Sequence, residues 1–97
     1  MLNQDKIEEV VGTIAQKYAI SSVYLFGSYA RGNATEDSDL DFRIVGGNIR
    51  TLYDIAALRL DLEDALGKSA DVILTKNMRE SFYQEIRDEE VLIYEKV

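Results

Sequence analysis

Apolar residues recur at helical spacing in three segments of the chain. The segments are residues 3–18, 50–66 and 78–88, and in each the apolar positions fall on one face of a helix. The stripes are Ile7, Val10, Val11, Ile14, Ala15 and Tyr18, then Leu52, Ile55, Leu58, Leu62, Ala65 and Leu66, then Met78, Phe82 and Ile86. The pattern therefore predicts three helices, each with one face against a core.

Short polar residues and one glycine mark where these helices begin and end. Asn3 or Asp5 can accept hydrogen bonds from the first turn of the first helix. Thr51 suits the N-cap of the second helix, and Gly67 suits its C-terminal end. Gly12 lies inside the first helix, where glycine costs roughly 1 kcal/mol relative to alanine. The apolar stripe of that helix can offset this cost.

Four shorter segments have the pattern of strands. Val23–Phe26 is largely apolar, which is typical of a strand buried on both faces. Asp39–Val45 alternates, so that its two acids and Arg43 share one face while its apolar residues share the other. Ser69–Thr75 alternates in the same way, and Val91–Tyr94 is a last short strand.

The predicted elements follow the order α-β-β-α-β-α-β. This order predicts an α/β (α+β) fold in which a mixed β-sheet has helices packed on it. The second and third strands are joined through the long helix, so we expect them to be parallel. The chain has no proline, repeat or linker, and we expect residues 1–97 to form a single small domain.

Charge and composition narrow the function. The 97 residues carry a net charge of −7, which argues against direct binding of nucleic acid, because phosphate-backbone affinity needs a basic face. The chain has no histidine and no cysteine, which excludes thiol catalysis and Ser-His triads. Any metal must then be held by oxygen, which selects hard cations such as magnesium, manganese or calcium.

The sequence carries no mark of a membrane protein. No apolar run approaches the roughly 18 residues of a membrane-spanning helix, and no signal peptide is visible. We therefore expect a soluble protein of the cytoplasm that does not bind membranes.

The stretch after the first strand can bind phosphate. Glycine at Gly27 allows close backbone approach, and amides at such a corner, together with the Ser28 hydroxyl, can hold a phosphate. Tyr29-Ala30-Arg31 can make one helical turn, from which Arg31 can contact a triphosphate or form a structural ion pair. Ser38 can act near a metal or serve as a turn residue. An ordinary strand-to-loop turn is the alternative for the glycine and serine.

Asp39 and Asp41 form a pair of carboxylates on one strand face, about 6–7 Å apart along the chain. They repel each other unless something positive lies between them, and a divalent cation is the usual solution. Asp71 lies near the start of the next strand and can point at the same cleft, and three carboxylates are enough for two metal ions. Arg43 can neutralise one of the acids or form a structural ion pair elsewhere. A solvated strand face is the alternative for the acids.

Two other motifs fail at named positions. Gly27–Gly32 has the spacing of a Walker A loop, but Asn33 and Ala34 stand where lysine and serine or threonine are needed. A calcium loop starting at Asp37 would need glycine and glutamate where this chain has Phe42 and Asn48.

The combined pattern resembles a known superfamily. Gly27-Ser28, ten intervening residues and Asp39-Leu40-Asp41 are similar to the motif of the nucleotidyltransferases typified by DNA polymerase beta. The match extends over Gly27–Gly32 and Ser38–Asp41, and the flanking elements fit in order and length. The whole chain resembles the minimal members of that superfamily, the MNT antitoxins of HEPN/MNT toxin–antitoxin systems.

The resemblance implies a function and a set of site residues. It implies that Gly27 and Ser28 grip nucleotide phosphates, that Asp39 and Asp41 bind two magnesium ions, and that Asp71 is the third carboxylate. ATP is the implied substrate, and AMP is transferred to a hydroxyl, expected to be a tyrosine, of a partner HEPN toxin. Arg31 and Ser38 complete the expected nucleotide-binding set. Assembly of the chain into a homo-oligomer remains open.

Two other functions compete with this one. The chain could neutralise its partner by masking it, as a binding module with a vestigial metal site, or it could modify a small molecule such as an aminoglycoside. Intact Asp39, Asp41 and Asp71 favour the enzyme over the masking module. The lack of a substrate-binding extension favours a protein acceptor over a small molecule.

Overall fold

The computed structural model describes residues 2–97, and a four-stranded sheet lies at its centre. In chain order the elements are α1 (Gln4–Lys17), β1 (Ser22–Phe26), α2 (Ser28–Arg31), β2 (Leu40–Val45), α3 (Leu52–Leu66), β3 (Ala70–Leu74), a 3₁₀ turn (Thr75–Asn77), α4 (Glu80–Ile86) and β4 (Val91–Glu95). The predicted fold class and element order are confirmed, with the short helix α2 at the position of the predicted helical turn.

The sheet is mixed, with strand order β3-β2-β1-β4. β1 pairs antiparallel with both β2 and β4. β2 and β3 are parallel, as the crossover through α3 predicted. Their register sets Asp41 directly beside Asp71, and Phe26 of β1 lies on the other side of Asp41. Residues from three neighbouring strands therefore meet at one place on the sheet.

The core lies between one face of this sheet and the two long helices. Leu40, Phe42 and Ile44 of β2 are almost fully buried there. The helices contribute their apolar stripes, with Ile7, Val11 and Ala15 from α1 and Leu58, Leu62 and Leu66 from α3. Burial of this kind stabilises the fold by about 25 cal/mol for each Å² of apolar surface removed from water.

The predicted caps are present. The Asn3 side chain accepts a hydrogen bond from the Lys6 amide at 2.8 Å. Thr51 and Asp54 form a reciprocal capping box at the start of α3, and Gly67 ends that helix in the left-handed conformation. These contacts fix the ends of the helices that cover the core.

Several predicted details are wrong. Asp39 precedes β2 and is not part of it, and α4 begins at Glu80, because the chain makes the 3₁₀ turn first. In α3 the buried residues are Leu58, Leu62 and Leu66, which form a narrow row along the helix. Leu52 and Ala65 were predicted to share this buried face, but they lie beside it and are exposed, Leu52 to 81%. β1 is not buried equally on both faces, because Tyr24 lies half-buried on the face opposite the core.

The described residues, 2–97, contain no helix that is long and apolar enough to cross a membrane.

Candidate active site

A cleft of about 490 Å³ opens on the sheet face opposite the core, where β1, β2 and β3 meet α4. Three of its lining residues are the predicted acids Asp39, Asp41 and Asp71. The predicted phosphate-binding residues Gly27, Ser28 and Arg31 line it as well, together with Phe26, Phe82, Glu85, Ile86 and Glu89. The structure thus brings six of the seven predicted site residues into one cleft.

The corner at Gly27 depends on glycine for two reasons. Its φ of 76° and ψ of −156° fall in a region that residues with a side chain rarely adopt. A Cβ at this position would also overlap the Asp41 carboxylate, which lies against the Gly27 backbone. After this corner the chain enters α2 at once, and the Gly27 carbonyl accepts the Arg31 amide at 3.0 Å. The backbone of the turn is therefore packed directly against one of the carboxylates.

The ionisation of Asp41 is perturbed by its surroundings. Burial, the neighbouring carboxylates of Asp71 and Asp39 and a hydrogen bond with Asp71 together raise the pKa of Asp41 to about 6, and Arg31 opposes this shift. Asp39 and Asp71 are exposed, whereas Asp41 is partly buried. The cleft therefore holds more negative charge than its own cations neutralise, which is the situation that a bound cation relieves.

The atoms of the cleft that can bind a metal ion suit a hard cation. They are all oxygen atoms, because the sequence contains no histidine and no cysteine. Within residues 2–97, no group of three or more acidic side chains has the arrangement of a complete metal site. The carboxylates of this cleft can therefore supply part of a ligand set, and the oxygens of a bound molecule must supply the rest. Magnesium is commonly held in this way, by one or two carboxylates and substrate phosphates.

Glu89 is a residue of the cleft that the sequence did not predict. Its Oε2 accepts a hydrogen bond from the Gly27 amide at 2.7 Å and another from Arg31 Nη1 at 3.1 Å. In the sequence, Glu89 is the middle of three consecutive acids after a helix, and nothing distinguishes it from its neighbours. Only the return of the chain from α4 to β4 brings it to Gly27, which lies 62 residues earlier.

Arg43 does not neutralise the acids of the cleft. Its guanidinium forms a two-pronged ion pair with Glu90, with Nε to Oε2 at 2.9 Å and Nη2 to Oε1 at 2.6 Å. Its Nη1 also donates to the Thr75 hydroxyl at 3.0 Å, and its plane lies near the rings of Tyr24 and Tyr83. Both side chains of the ion pair are 7% exposed. The structural ion pair was one of the two predicted roles, and it is the one found.

The structure does not bring Ser38 into the cleft. Its hydroxyl accepts a hydrogen bond from the Thr35 amide at 2.8 Å, which closes the turn before Asp39. Ser38 therefore has the turn role that was its alternative. It helps to place Asp39 without lining the cleft.

A second, more apolar cavity of about 440 Å³ adjoins the cleft and shares Phe82 and Glu85 with it. Its other walls come from the edge strand β3, the 3₁₀ turn and the start of α4, namely Ile73, Asn77, Met78, Arg79 and Ser81. Phe82 also packs edge-on against Phe26, with 5.8 Å between ring centroids. The polar cleft is thus continuous with an apolar wall.

Fold and cleft together define a class of protein, a small mixed-sheet domain with a glycine corner and three carboxylates at one end of the sheet. The chain belongs to the polymerase beta nucleotidyltransferase family, because the family described as "Polymerase beta, Nucleotidyltransferase" matches residues 8–97. The predicted family is confirmed, and with it the prediction that the chain is a nucleotidyltransferase.

Relatives and solved structures agree with this family. A protein of Methanocaldococcus jannaschii named "Putative protein adenylyltransferase MJ0435" is 31% identical over 93% of this chain and 97% of the relative. "Protein adenylyltransferase MntA" of Thermococcus cleftensis is 27% identical over 96% of this chain and 98% of the relative. A solved complex of tri-AMPylated Shewanella oneidensis HEPN toxin with MNT antitoxin contains a chain of the same fold. That chain is 17% identical, with a TM-score of 0.75 over 96% of this chain and 73% of that one.

Proposed function

We propose that this protein is a magnesium-dependent adenylyltransferase that moves AMP from ATP to a tyrosine hydroxyl of a partner HEPN toxin, and that it thereby acts as an antitoxin. One observation carries the proposal, namely that Asp39, Asp41 and Asp71 share a cleft with the Gly27 corner and Arg31. In this proposal residues 1–97 act as one catalytic domain, and the partner supplies the acceptor.

Different residues of the cleft have different roles in nucleotidyl transfer. The Ser28 hydroxyl, the Gly27 amide and the Arg31 guanidinium hold the triphosphate, and Asp39, Asp41 and Asp71 would hold magnesium. When bound, magnesium supplies charge neutralisation for the nucleotide and for the attacking oxygen. The tyrosine oxygen forms a bond to the α-phosphorus as the bond from that phosphorus to the β-phosphate oxygen breaks. Pyrophosphate leaves, and the hydroxyl proton passes to a carboxylate of the cleft or to water.

Two features support a protein as the acceptor. The relatives named as protein adenylyltransferases are matched over nearly their whole length, so this chain resembles entire proteins of that kind. The cleft also opens to solvent beside the apolar wall of Phe82 and Met78, which suits an aromatic side chain carried by another protein. A HEPN toxin is the proposed partner because the solved MNT antitoxin of the same fold is in complex with one.

The test is transfer of label from [α-³²P]ATP to a HEPN toxin that is mixed with this protein as the proposed partner. The wild-type protein with magnesium is expected to label its partner, and the double variant Asp39→Asn with Asp41→Asn is expected to fold but to label at least a hundredfold less. The control is Asp37→Asn, which removes one negative charge from the loop before Asp39, at a residue that does not line the cleft. Mass spectrometry of the partner identifies the modified residue.

Each other outcome points to a different function. If the double variant labels its partner as well as the wild type does, Asp39 and Asp41 are not catalytic residues. If it still neutralises the toxin without labelling it, the protein acts by masking. If the wild type labels an aminoglycoside but not the protein, the acceptor is a small molecule.

A further inference from the structure

Glu89 occupies the donors that the proposed function gives to the nucleotide's phosphates. Its Oε2 lies 2.7 Å from the Gly27 nitrogen and 3.1 Å from Arg31 Nη1. We propose that Glu89 is an internal competitor of the triphosphate, which must displace it, and that Glu89 thereby lowers the affinity of the site. This inference rests on the proposed function, because it takes the competing anion to be the triphosphate of a nucleotide.

The competition follows from the number of donors. The Gly27 amide has one hydrogen, and a short, well-directed bond to Glu89 leaves none for a phosphate oxygen. Arg31 has further N–H groups, but its Nη1 donates to the same carboxylate oxygen, so a phosphate oxygen at Nη1 competes with Glu89 as well. A phosphate that binds at the Gly27 corner must therefore break the bond to Glu89.

Charge adds to this effect. Glu89 lines the same cleft as Asp39, Asp41 and Asp71, so it adds a further carboxylate near the expected position of a polyanion. Its side chain is 23% exposed, which reduces the screening of its charge by water. Glu89 therefore opposes the triphosphate both by holding its donors and by repelling it.

The turn that carries Glu89 has a firmly held backbone, so the Glu89 side chain starts from a fixed position beside the glycine corner. The amides of Glu89 and Glu90 both bond to the Ile86 carbonyl, at 3.0 and 3.1 Å. Glu90 is locked by its buried ion pair with Arg43. Two successive residues of this turn therefore have different roles. Glu90 attaches the turn to Arg43 of the sheet, and Glu89 contacts the backbone of Gly27.

The experiment measures the binding of two anions by isothermal titration calorimetry. One is inorganic tripolyphosphate without metal, which tests the donors alone, and the other is a non-hydrolysable ATP analogue with magnesium. The variants are Glu89→Gln and Glu89→Ala. The matched control is Asp88→Asn, which makes the same change of charge on the adjacent residue, whose side chain is 94% exposed. Thermal unfolding checks that each variant is folded.

Both variants of Glu89 are expected to bind both anions roughly tenfold more tightly or better, because a charge-assisted hydrogen bond no longer competes. Asp88→Asn is expected to change affinity less than twofold. Tripolyphosphate affinity that stays equal or falls in Glu89→Gln and Glu89→Ala would overturn the proposal, as would an equal gain in Asp88→Asn.

The transfer assay separates this inference from the proposed function. If Glu89→Gln binds tripolyphosphate more tightly but no variant transfers AMP, the competition stands and the adenylyltransferase function fails. If the wild type transfers AMP and Glu89→Gln shows no gain in affinity, the function stands and Glu89 is only a structural ligand of Gly27.

Discussion

At the scale of residues, the carboxylates of the cleft repel one another, and no contact among residues 2–97 fully neutralises this repulsion. Asp41 is the centre of it, because it lies against Gly27, beside Asp71 and near Asp39. A carboxylate whose pKa is raised in the folded state makes the protein less stable at neutral pH than a neutral side chain would. Such a cost is typical of a functional site.

This repulsion predicts that Asp41→Asn is more stable than the wild type at pH 7. The pKa of Asp41 is about 6 in the folded protein against 3.8 as its ordinary value, so the folded state binds this proton more tightly than the unfolded state does. The contribution of Asp41 to the free energy of unfolding therefore falls as the pH rises from about 4 to 6. After discounting for partial exposure, we expect the variant to gain about 1 kcal/mol at pH 7 and nothing near pH 4.

Urea denaturation of both proteins at pH 4, 5, 6 and 7 measures this difference. A difference between the two that does not change with pH would show that Asp41 is not strained by its neighbours. Magnesium is left out of these measurements, because a bound cation removes the repulsion.

The residues of the cleft were predictable to different degrees. Gly27, Asp39 and Asp41 lie close in sequence, and their spacing carries the motif, so local reasoning found them. Asp71 followed from a topological rule about crossovers. Glu89 could not be found in this way, because its role depends on a contact with Gly27 across 62 residues and on which of three adjacent acids turns inward.

At the scale of elements, the turn between α4 and β4 is held to the sheet by one buried ion pair. Arg43 of β2 reaches over the sheet to Glu90, and Tyr24 and Tyr83 flank its guanidinium. The sequence placed Arg43 on the same face as the acids, which is correct, but the alternation of a strand cannot say which acid is its partner. The pair is set by where the last helix ends.

The ion pair predicts a large cost when only one partner is removed. Arg43→Met leaves Glu90 buried without a counter-charge, and we expect the free energy of unfolding to fall by about 3–5 kcal/mol. Adding Glu90→Leu to that variant should restore most of the loss, because neither charge then remains buried. Urea denaturation at pH 7 measures both effects.

Arg59→Met is the matched control, because it breaks an exposed pair with Glu63 in which the arginine side chain is 53% exposed. It should cost less than about 1 kcal/mol. If Arg43→Met costs no more than this control, the pair with Glu90 does not anchor the turn.

At the scale of the whole molecule, the strand order explains how a chain of 97 residues forms a site from segments that are distant in sequence. β1 and β2 lie in the middle of the sheet, so the glycine corner and the first two acids are central, while β3 adds Asp71 from the edge. The sequence predicted which strands are parallel. It could not predict the position of β4, because a short apolar strand can pair with either edge.

The net negative charge of the molecule predicts how its melting temperature depends on salt. With a net charge of −7, any salt should stabilise the fold somewhat by screening. Magnesium chloride should raise the melting temperature by several degrees more than sodium chloride at the same ionic strength, because the proposed function requires magnesium to bind at the carboxylates. Differential scanning fluorimetry at pH 7 measures the two curves, and chelation with EDTA should reverse the extra shift.

The double variant Asp39→Asn with Asp41→Asn should lose the difference between the two salts and keep the shared screening effect. An equal response of the wild type to both salts at matched ionic strength would argue against a specific cation site.

The packing of Arg43 between two tyrosine rings also has an optical consequence. The chain has six tyrosines and no tryptophan, so tyrosine dominates its ultraviolet fluorescence. Tyr24 and Tyr83 lie 4.2 and 5.0 Å from the guanidinium that anchors the turn of Glu89. Any shift of that turn therefore changes the surroundings of two of the six fluorophores. The tyrosine fluorescence of the unlabelled protein should then change when a ligand displaces Glu89 from Gly27.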